Sequence, residues 1–205
     1  MTNIPYRVQK RILDILLASF LLFSLSPLLL IVIVTSLLFL GLPIHFTQER
    51  LGKDAKPFHV LKFRTMKNAY SSTGQLLPDH LRLTRYGRLL RVTSIDELPQ
   101  IINIILGHMS FVGPRPLLVS YKNSYSKRQT HRHDVLPGLT GLAQIYGRNS
   151  NSWRTKMSLD CLYVSRQSFT LDFYIILRTL PKLLVGSNIQ AIGTSHLPPD
   201  HRPFY

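Results

Sequence analysis

An uncharged stretch of the chain from Ile15 to Leu42 is apolar except for four serines and a threonine. As one continuous helix it would be roughly 42 Å long at 1.5 Å per residue, against about 30 Å for the hydrocarbon core of a bilayer. Pro27 removes a backbone donor and bends a helix, and the hydroxyl of Ser26 can partly satisfy the freed backbone groups. The pattern predicts two half-helices that break at Ser26-Pro27 and attach the chain to a membrane.

Two arrangements of these half-helices are compatible with the pattern. A kinked helix that spans the membrane is the simpler one, because tilt absorbs the extra length. A hairpin that re-emerges on the same face would explain why basic residues flank the run on both sides and give no orientation by the positive-inside rule. These residues are Arg7, Lys10 and Arg11 before the run and Arg50, Lys53 and Lys56 after it. The 28-residue length of the run is not typical of a cleaved secretory signal, so we expect it to stay on the mature protein.

The rest of the chain predicts a mainly α fold with a small β element, which is an α+β class. The segment from Phe58 to Met66 has the β-branched and aromatic content of a short strand. Apolar residues at helical spacing from Leu98 to Ile105 predict a helix that ends at Gly107. We divide the chain into a membrane-anchoring segment (1–43), a compact domain (44–185) and an irregular tail rich in proline and histidine (186–205).

Three further stretches also predict helices. They are Leu117 to Val135, Ser152 to Arg166 and Leu171 to Val185. The last is mostly apolar, with Arg178 and Lys182 near its end, so it suits an amphipathic helix at a membrane interface and a buried core helix equally well.

The chain is strongly basic, with a formal net charge of +15 of which the first 43 residues carry only +2. Such a charge favours an anionic partner, which could be nucleic acid, anionic lipid or a phosphorylated substrate, and charge alone does not choose among them. The single cysteine, Cys161, excludes an internal disulfide and fits a reducing compartment. We interpret it as a packing residue.

The adjacent acids Asp96-Glu97 are the most informative local feature, because only ten acidic residues occur in the chain. They follow four arginines at every third position, Arg82, Arg85, Arg88 and Arg91, which on a helix would form one basic face. Two interpretations are open. Ser94 and Glu97 fit a capping box at the start of the next helix. Alternatively, ionised carboxylates beside arginines can attack phosphorus or hold Mg²⁺, which would make this a phosphoryl-transfer site.

Two later motifs could also contact phosphate. In Gly113-Pro-Arg-Pro116, prolines fix the backbone on both sides of Arg115, so the segment is either a rigid turn or a mount for a guanidinium that clamps a diphosphate. A glycine-punctuated loop from Pro137 to Asn149 could bring backbone N–H groups close to phosphate, and Arg148 adds positive charge there.

The histidines His131 and His133, followed by Asp134, invite a metal interpretation. On the predicted helix the two rings would point apart, and no cysteine or second cluster completes a site. We therefore do not predict zinc here.

Taken together and in order, several motifs resemble the bacterial sugar transferase family, the monotopic polyprenyl-phosphate phosphoglycosyl transferases. The resemblance extends from about Lys10 to Arg178. The motifs are Lys10-Arg-Ile-Leu-Asp14, Ser26-Pro27, Lys62-Phe-Arg-Thr-Met66, Arg91 to Gln100, Met109 to Pro116, Pro137 to Gly141, Gly147-Arg-Asn149, Leu159-Asp160, Tyr163-Val164 and Leu171-Asp172.

This resemblance implies transfer of a phospho-sugar from a UDP-sugar to a polyprenyl phosphate, usually undecaprenyl phosphate, with release of UMP, as the first step of surface glycan assembly. It implies Mg²⁺ as cofactor, membrane lipid as a partner and no nucleic-acid partner. It also implies a re-entrant hairpin and a catalytic domain with interfacial amphipathic helices on the cytoplasmic face of the bacterial inner membrane. A homodimer would be unsurprising in this family.

The same resemblance implies roles for individual residues. Asp96 would be the nucleophile that forms an aspartyl phospho-sugar intermediate. Glu97 would help to bind Mg²⁺, which we place on Asp96 and Glu97, or would position the phosphate. Arg91, Arg115 and Arg148 would neutralise phosphate charge as it develops.

The sequence departs from the family pattern at four positions, His108 for an acid, Ala55 for a glycine, Leu136 for an arginine and Leu142 for a tryptophan. An acid at position 108 could support the metal or an arginine, and a mostly neutral imidazole would weaken that support. Two rival functions therefore remain: a non-catalytic membrane protein whose basic face binds anionic lipid or nucleic acid, and an inactive relative kept as a scaffold.

Overall fold

The computed structural model describes residues 5–146 and 152–184, and these residues form a mainly helical α+β structure, as predicted. The helices are α1 (Tyr6–Ser24), α2 (Ser26–Leu40), α3 (Asp79–Arg82), α4 (Arg85–Val92), α5 (Gln100–Ile105), α6 (Leu142–Ile145), α7 (Trp153–Ser165) and α8 (Phe169–Leu184). The strands are β1 (His45–Leu51), β2 (Pro57–Phe63), β3 (Ser110–Val112) and β4 (Gly138–Thr140). The predicted irregular tail, 186–205, lies outside the described residues.

Helices α1 and α2 form the predicted helix-break-helix, with a bend of 61° between them. Leu25 is the only residue between the two helices, and Pro27 occupies the first turn of α2, where its missing N–H leaves no partner unsatisfied. The Ser26 hydroxyl donates to the carbonyl of Phe23 at 2.7 Å. Among the described helices no single one is long and apolar enough to cross a bilayer, whereas the bent pair passes that test of length and composition together.

Strands β1 and β2 form an antiparallel hairpin in which His45 pairs with Phe63 and Leu51 with Pro57. The sequence predicted β2 but not β1, because β1 is polar and largely exposed and so lacks hydrophobic alternation. Helix α5 packs on this hairpin. The Asn103 amide donates to the carbonyl of His59 at 2.8 Å and accepts from the N–H of Leu61 at 3.0 Å, which fixes α5 against β2.

Strands β3 and β4 run parallel, with Ser110 opposite Gly138 and Val112 opposite Thr140. The two backbones approach so closely just beyond this ladder that a Cβ on Gly138 would lie 2.1 Å from the nitrogen of Gly113. Glycine is therefore needed at position 138, where β4 packs against Gly113 at the start of the loop of Arg115.

The predicted helix from Leu117 to Val135 is wrong. The structure has two short 3₁₀ turns there, Val119–Ser124 and Gln129–His133. Between them the side chain of Gln129 accepts from the N–H of Ser126 at 2.9 Å, so a side-chain bond takes the place of a helical one.

The two C-terminal helices confirm the predictions within a few residues. Ser152 caps α7 by accepting from the N–H of Thr155 at 3.2 Å. Helix α8 has both a buried and an exposed apolar face, since Ile175 is 0% exposed and Phe173 is 62% exposed. Half-buried Cys161 lies on α7, where its thiol contacts the carbonyl of Arg128 at 3.4 Å.

Candidate active site

The acid pair lies in a turn between α4 and α5, and this turn is not a capping box. Ser94 has a left-handed backbone (φ 57°) and makes no side-chain cap, and a 3₁₀ turn of Ile95–Glu97 precedes the start of α5 at Gln100. A left-handed residue is typical of the end of a helix, so Ser94 belongs to the end of α4. Of the two open interpretations, the capping box is therefore wrong, and the Glu97 carboxylate has other partners.

Glu97 accepts two charged hydrogen bonds on the same oxygen, Oε1. Lys62 Nζ of β2 lies 2.6 Å away and Arg115 Nη2 lies 2.9 Å away. Burial alone would raise the pKa of Glu97, but the positive charges of Arg115 and Lys62 lower it far below its usual range. Glu97 is therefore ionised at any physiological pH, and its negative charge raises the pKa of Arg115 in turn.

Asp96, its neighbour, has a different environment. It is only 8% exposed, and burial raises the pKa of Asp96 from 3.8 to about 6, with Glu97 adding to this rise and the positive charges of Lys62, Arg91 and Arg115 opposing it. At neutral pH the carboxylate is mostly ionised yet poorly solvated. Two adjacent carboxylates whose pKa values are pushed apart indicate separate chemical roles.

The four arginines at every third position do not form one basic face. Arg82 closes α3, whereas Arg85, Arg88 and Arg91 lie on α4, because a break at Leu83 and Thr84 separates the two helices. Only Arg91, in the last turn of α4, acts on the acid pair: burial lowers its pKa, and Asp96 opposes that effect.

The loop of Arg115 is a rigid turn that holds the Arg115 guanidinium beside Glu97. The N–H of Gly113 donates to Thr140 and the N–H of Gly138 donates to Pro114, both at 2.9 Å, so the loop is bonded to both ends of β4. Arg115, about half exposed, reaches from this loop to Glu97. The structure thus brings together four of the predicted site residues, Asp96, Glu97, Arg91 and Arg115.

Arg148, the fifth predicted site residue, lies outside the described residues, as do Gly147 and Asn149. The described part of the glycine-punctuated loop has a packing role, since a Cβ on Gly141 would lie 2.1 Å from the carbonyl oxygen of Gly113. The N–H of Gly138 is already bonded to Pro114. These glycines bring β4 against the loop of Arg115.

Two cations of the site were not assigned a role from the sequence. Lys62 was visible only as part of a motif, because a lysine in a strand is usually a solvated residue. Arg50, on β1, lies 3.5 Å from the carbonyl oxygen of Pro116 through Nη1. Burial and the positive charge of Arg115 lower the pKa of Arg50 to about 10, so its guanidinium remains charged at neutral pH. Apart from the motif that contains Lys62, the sequence showed only that these residues are basic, which does not predict that they lie near the acid pair.

The histidines do not form a metal site. His133 is buried, with Nδ1 3.0 Å from the carbonyl oxygen of Gly52, and burial lowers the pKa of His133 to about 4. His131 is exposed and pairs with Asp134 at 2.9 Å. Among the described residues no cluster of three or more potential metal ligands occurs. His108 is exposed, and the centroid of its ring lies 5.9 Å from that of Phe58.

The acid pair itself is compatible with Mg²⁺. This ion often binds through only one or two protein carboxylates, together with substrate phosphates and water. Lys62 and Arg115 both bond Oε1 of Glu97, so Oε2 of Glu97 and the Asp96 carboxylate are the oxygens that could hold a metal. The donor set therefore fits a cation that arrives with a phosphorylated substrate.

Comparison with known proteins identifies a family and several relatives. The model of the family described as bacterial sugar transferase matches residues 5–186. The chain is 48% identical over 190 residues to an uncharacterized sugar transferase, EpsL, of Bacillus subtilis, and the match covers 93% of each protein. It is 38% identical over 191 residues to a UDP-glucose:undecaprenyl-phosphate glucose-1-phosphate transferase of Caulobacter vibrioides, covering 88% of this chain and 72% of the relative. It is also 38% identical over 196 residues to the exopolysaccharide production protein ExoY of Sinorhizobium fredii, covering 87% of each.

Proposed function

The chain belongs to the bacterial sugar transferase family, and from this premise we propose that it transfers a phospho-sugar from a UDP-sugar to polyprenyl phosphate, with undecaprenyl phosphate as the acceptor. The products are UMP and a polyprenyl-diphosphate-sugar, the first lipid-linked unit of a surface glycan. The observation that carries this proposal is the pair of unlike carboxylates, a poorly solvated Asp96 beside a Glu97 that Lys62 and Arg115 hold ionised.

In the first half-reaction an oxygen of the Asp96 carboxylate attacks the β-phosphorus of the UDP-sugar. The bond from that phosphorus to the oxygen that bridges the two phosphates breaks, and UMP leaves with its electron pair. Burial supports this role, because desolvation raises the pKa of Asp96 to about 6 and so makes the carboxylate more basic while it remains mostly ionised at neutral pH.

In the second half-reaction a phosphate oxygen of the polyprenyl phosphate attacks the same phosphorus. The bond between phosphorus and Asp96 breaks, the carboxylate is restored, and the diphosphate linkage forms. The two steps make a ping-pong reaction, in which UMP leaves before the lipid product forms.

The charges around the acid pair suit a diphosphate. Arg50, Lys62, Arg91 and Arg115 bring four positive charges to two carboxylates, so an anion that enters the site is electrostatically favoured. Preorganised cations of this kind stabilise charge on transferring phosphoryl groups. Mg²⁺ would be held by Asp96 and Glu97, and when bound it would neutralise further charge on the diphosphate.

We place the chain at the cytoplasmic face of the bacterial inner membrane, with α1 and α2 as a re-entrant hairpin. The 61° bend supports the hairpin, since it turns the two half-helices away from one straight axis. Exposed apolar side chains on α8, among them Phe173 and Leu177, suit contact with lipid. This position would let a water-soluble UDP-sugar meet a lipid phosphate at Asp96.

Two measurements test the proposal. The purified chain, with polyprenyl phosphate and Mg²⁺, is assayed for UMP release from a panel of UDP-sugars, which also identifies the sugar. The chain is then incubated with the active UDP-sugar alone, and mass spectrometry should find one phospho-sugar on Asp96. Absence of UMP release across the panel would refute the function, and a phospho-sugar on any other residue would refute the mechanism.

A further inference from the structure

The buried residue Arg132 contacts the main chain of Arg115 from inside the domain. Its Nη2 donates to the carbonyl oxygen of Arg115 at 2.7 Å and to Asp160 Oδ2 at 2.8 Å, and its Nε donates to the same carboxylate oxygen at 3.2 Å. Arg132 is 3% exposed and Asp160, on α7, is also 3% exposed. Both side chains are buried, so neither residue can contact a substrate directly.

The bond to Arg115 acts at a point that the prolines leave adjustable. Pro114 and Pro116 fix their own φ angles, and a residue before proline is restricted to extended conformations. Within that range the carbonyl of Arg115 can still tilt, and its tilt changes the direction of the Arg115 side chain. A donor on this carbonyl fixes the orientation of the peptide plane, and Asp160 fixes the donor in turn.

We propose that Arg132 is a positioning residue for the reaction, which aims the Arg115 guanidinium at Glu97 and the diphosphate through the main-chain carbonyl of Arg115. Asp160 serves to hold Arg132. The inference rests on the proposed function, and it assigns a role to a residue that lies in the histidine stretch, 17 positions from Arg115 in sequence.

The geometry calls for arginine in particular. One guanidinium presents several donors in a rigid plane, so it can bond the Asp160 carboxylate with Nε and Nη2 and the carbonyl of Arg115 with the same Nη2. A lysine ammonium at the same position keeps the charge next to Asp160 but cannot reproduce this planar arrangement. Arg132→Lys is thus the conservative change that keeps the positive charge and removes the hydrogen-bond geometry that orients Arg115.

The test is a double-mutant cycle on kcat/KM for UMP release. We expect Arg132→Lys to lower kcat/KM by about 10²-fold, the scale expected when a positioned group moves by about 1 Å. In an Arg115→Met background, assayed at high enzyme concentration, we expect Arg132→Lys to have almost no further effect, because the group that it aims is absent. Arg128→Lys, an exposed arginine in the same stretch, is the matched control and should leave kcat/KM unchanged.

A second variant guards against a change in folding. Replacing the buried pair by apolar residues, Arg132→Met with Asp160→Leu, is compatible with a stable fold. It should preserve the melting temperature and still reproduce the loss of kcat/KM. Equal losses in both backgrounds, full activity of the apolar pair, or unfolding of both Arg132 variants would overturn the inference. Failure of the wild-type chain to release UMP would instead refute the proposed function.

Discussion

Asp96→Asn should abolish activity and at the same time stabilise the folded chain. Burial raises the pKa of Asp96 to about 6 from an ordinary 3.8, so the folded state holds this proton more tightly than the unfolded state does. The contribution of the protonated Asp96 to the free energy of unfolding is therefore complete below about pH 4 and is lost as the pH rises through about 6. A shift of about two units corresponds to about 3 kcal/mol at neutral pH, since each unit is worth about 1.4 kcal/mol.

An asparagine of nearly the same shape avoids this cost. We expect its free energy of unfolding to exceed that of the wild type by up to about 3 kcal/mol at neutral pH, and by about half of that at pH 5, where the wild-type carboxyl is mostly protonated. At about 2–4 °C per kcal/mol, the melting temperature should rise by about 6–12 °C at neutral pH. The gain must shrink as the medium becomes more acidic.

The assay is thermal unfolding of both proteins at each pH, with a chelator present so that no divalent metal neutralises the acid pair. UMP release is measured in parallel with Mg²⁺. Asp134→Asn, at an acid whose side chain is 52% exposed, is the matched control and should change the melting temperature little. A variant at Asp96 that kept its activity, or that was less stable than the wild type at neutral pH, would refute the reasoning.

Three further predictions concern the acid pair and the membrane hairpin. Below about pH 6, log kcat/KM should fall by about one per pH unit as Asp96 is protonated, and a flat profile to pH 5 would contradict its role as nucleophile. Glu97→Gln removes the charge that its two cations share, so kcat for UMP release should fall by about 10²-fold or more with an unchanged circular dichroism spectrum. In a Cys161→Ser background, cysteines at Val8 and Thr47 should react with an impermeant maleimide from the cytoplasmic face alone, and labelling from opposite faces would exclude the hairpin.

The sequence predicted those parts of the structure that depend on local pattern. The break at Ser26-Pro27 follows from the chemistry of proline, and α7 and α8 follow from helical periodicity and a serine cap. The acid pair drew attention because acids are rare in this chain, and its neighbours Arg91 and Arg115 stood in motifs with chemical meaning. All four of these site residues meet in the structure.

The missing parts depend on contacts between distant segments. Strand β1 exists because β2 pairs with it, and its own polar sequence gives no periodic signal. Lys62 bonds a carboxylate 35 positions away and Arg132 bonds one 28 positions away. In the region predicted as one helix, apolar spacing favoured a helix, but local side-chain bonds at Ser126 and burial of Arg132 decided otherwise. No local pattern reports such pairings.

The helices on both sides of the acid pair are each bonded to one half of the helix-break-helix, α5 to α1 and α4 to α2. Arg11 of α1 donates to the carbonyl of Ile104 at 2.6 Å and to that of Ile105 at 2.9 Å, at the C-terminal end of α5, where positive charge is favoured. On the other side, Tyr86 of α4 shares a hydrogen bond of 2.9 Å with the hydroxyl of Ser36 on α2.

These contacts couple the position of Asp96, the proposed nucleophile, to helices α1 and α2. Asp96 lies between α4 and α5, so a shift of either helix arm would move one side of the turn that carries it. Lys10 adds a second contact from α1, at 2.6 Å from Asp172 on α8. A buried network of hydrogen bonds is rigid when each of its polar groups has a partner. In the proposed membrane arrangement, the contacts of α4 and α5 with α1 and α2 would set the depth at which Asp96 meets a lipid phosphate, and the hairpin would be part of the active-site framework as well as an anchor.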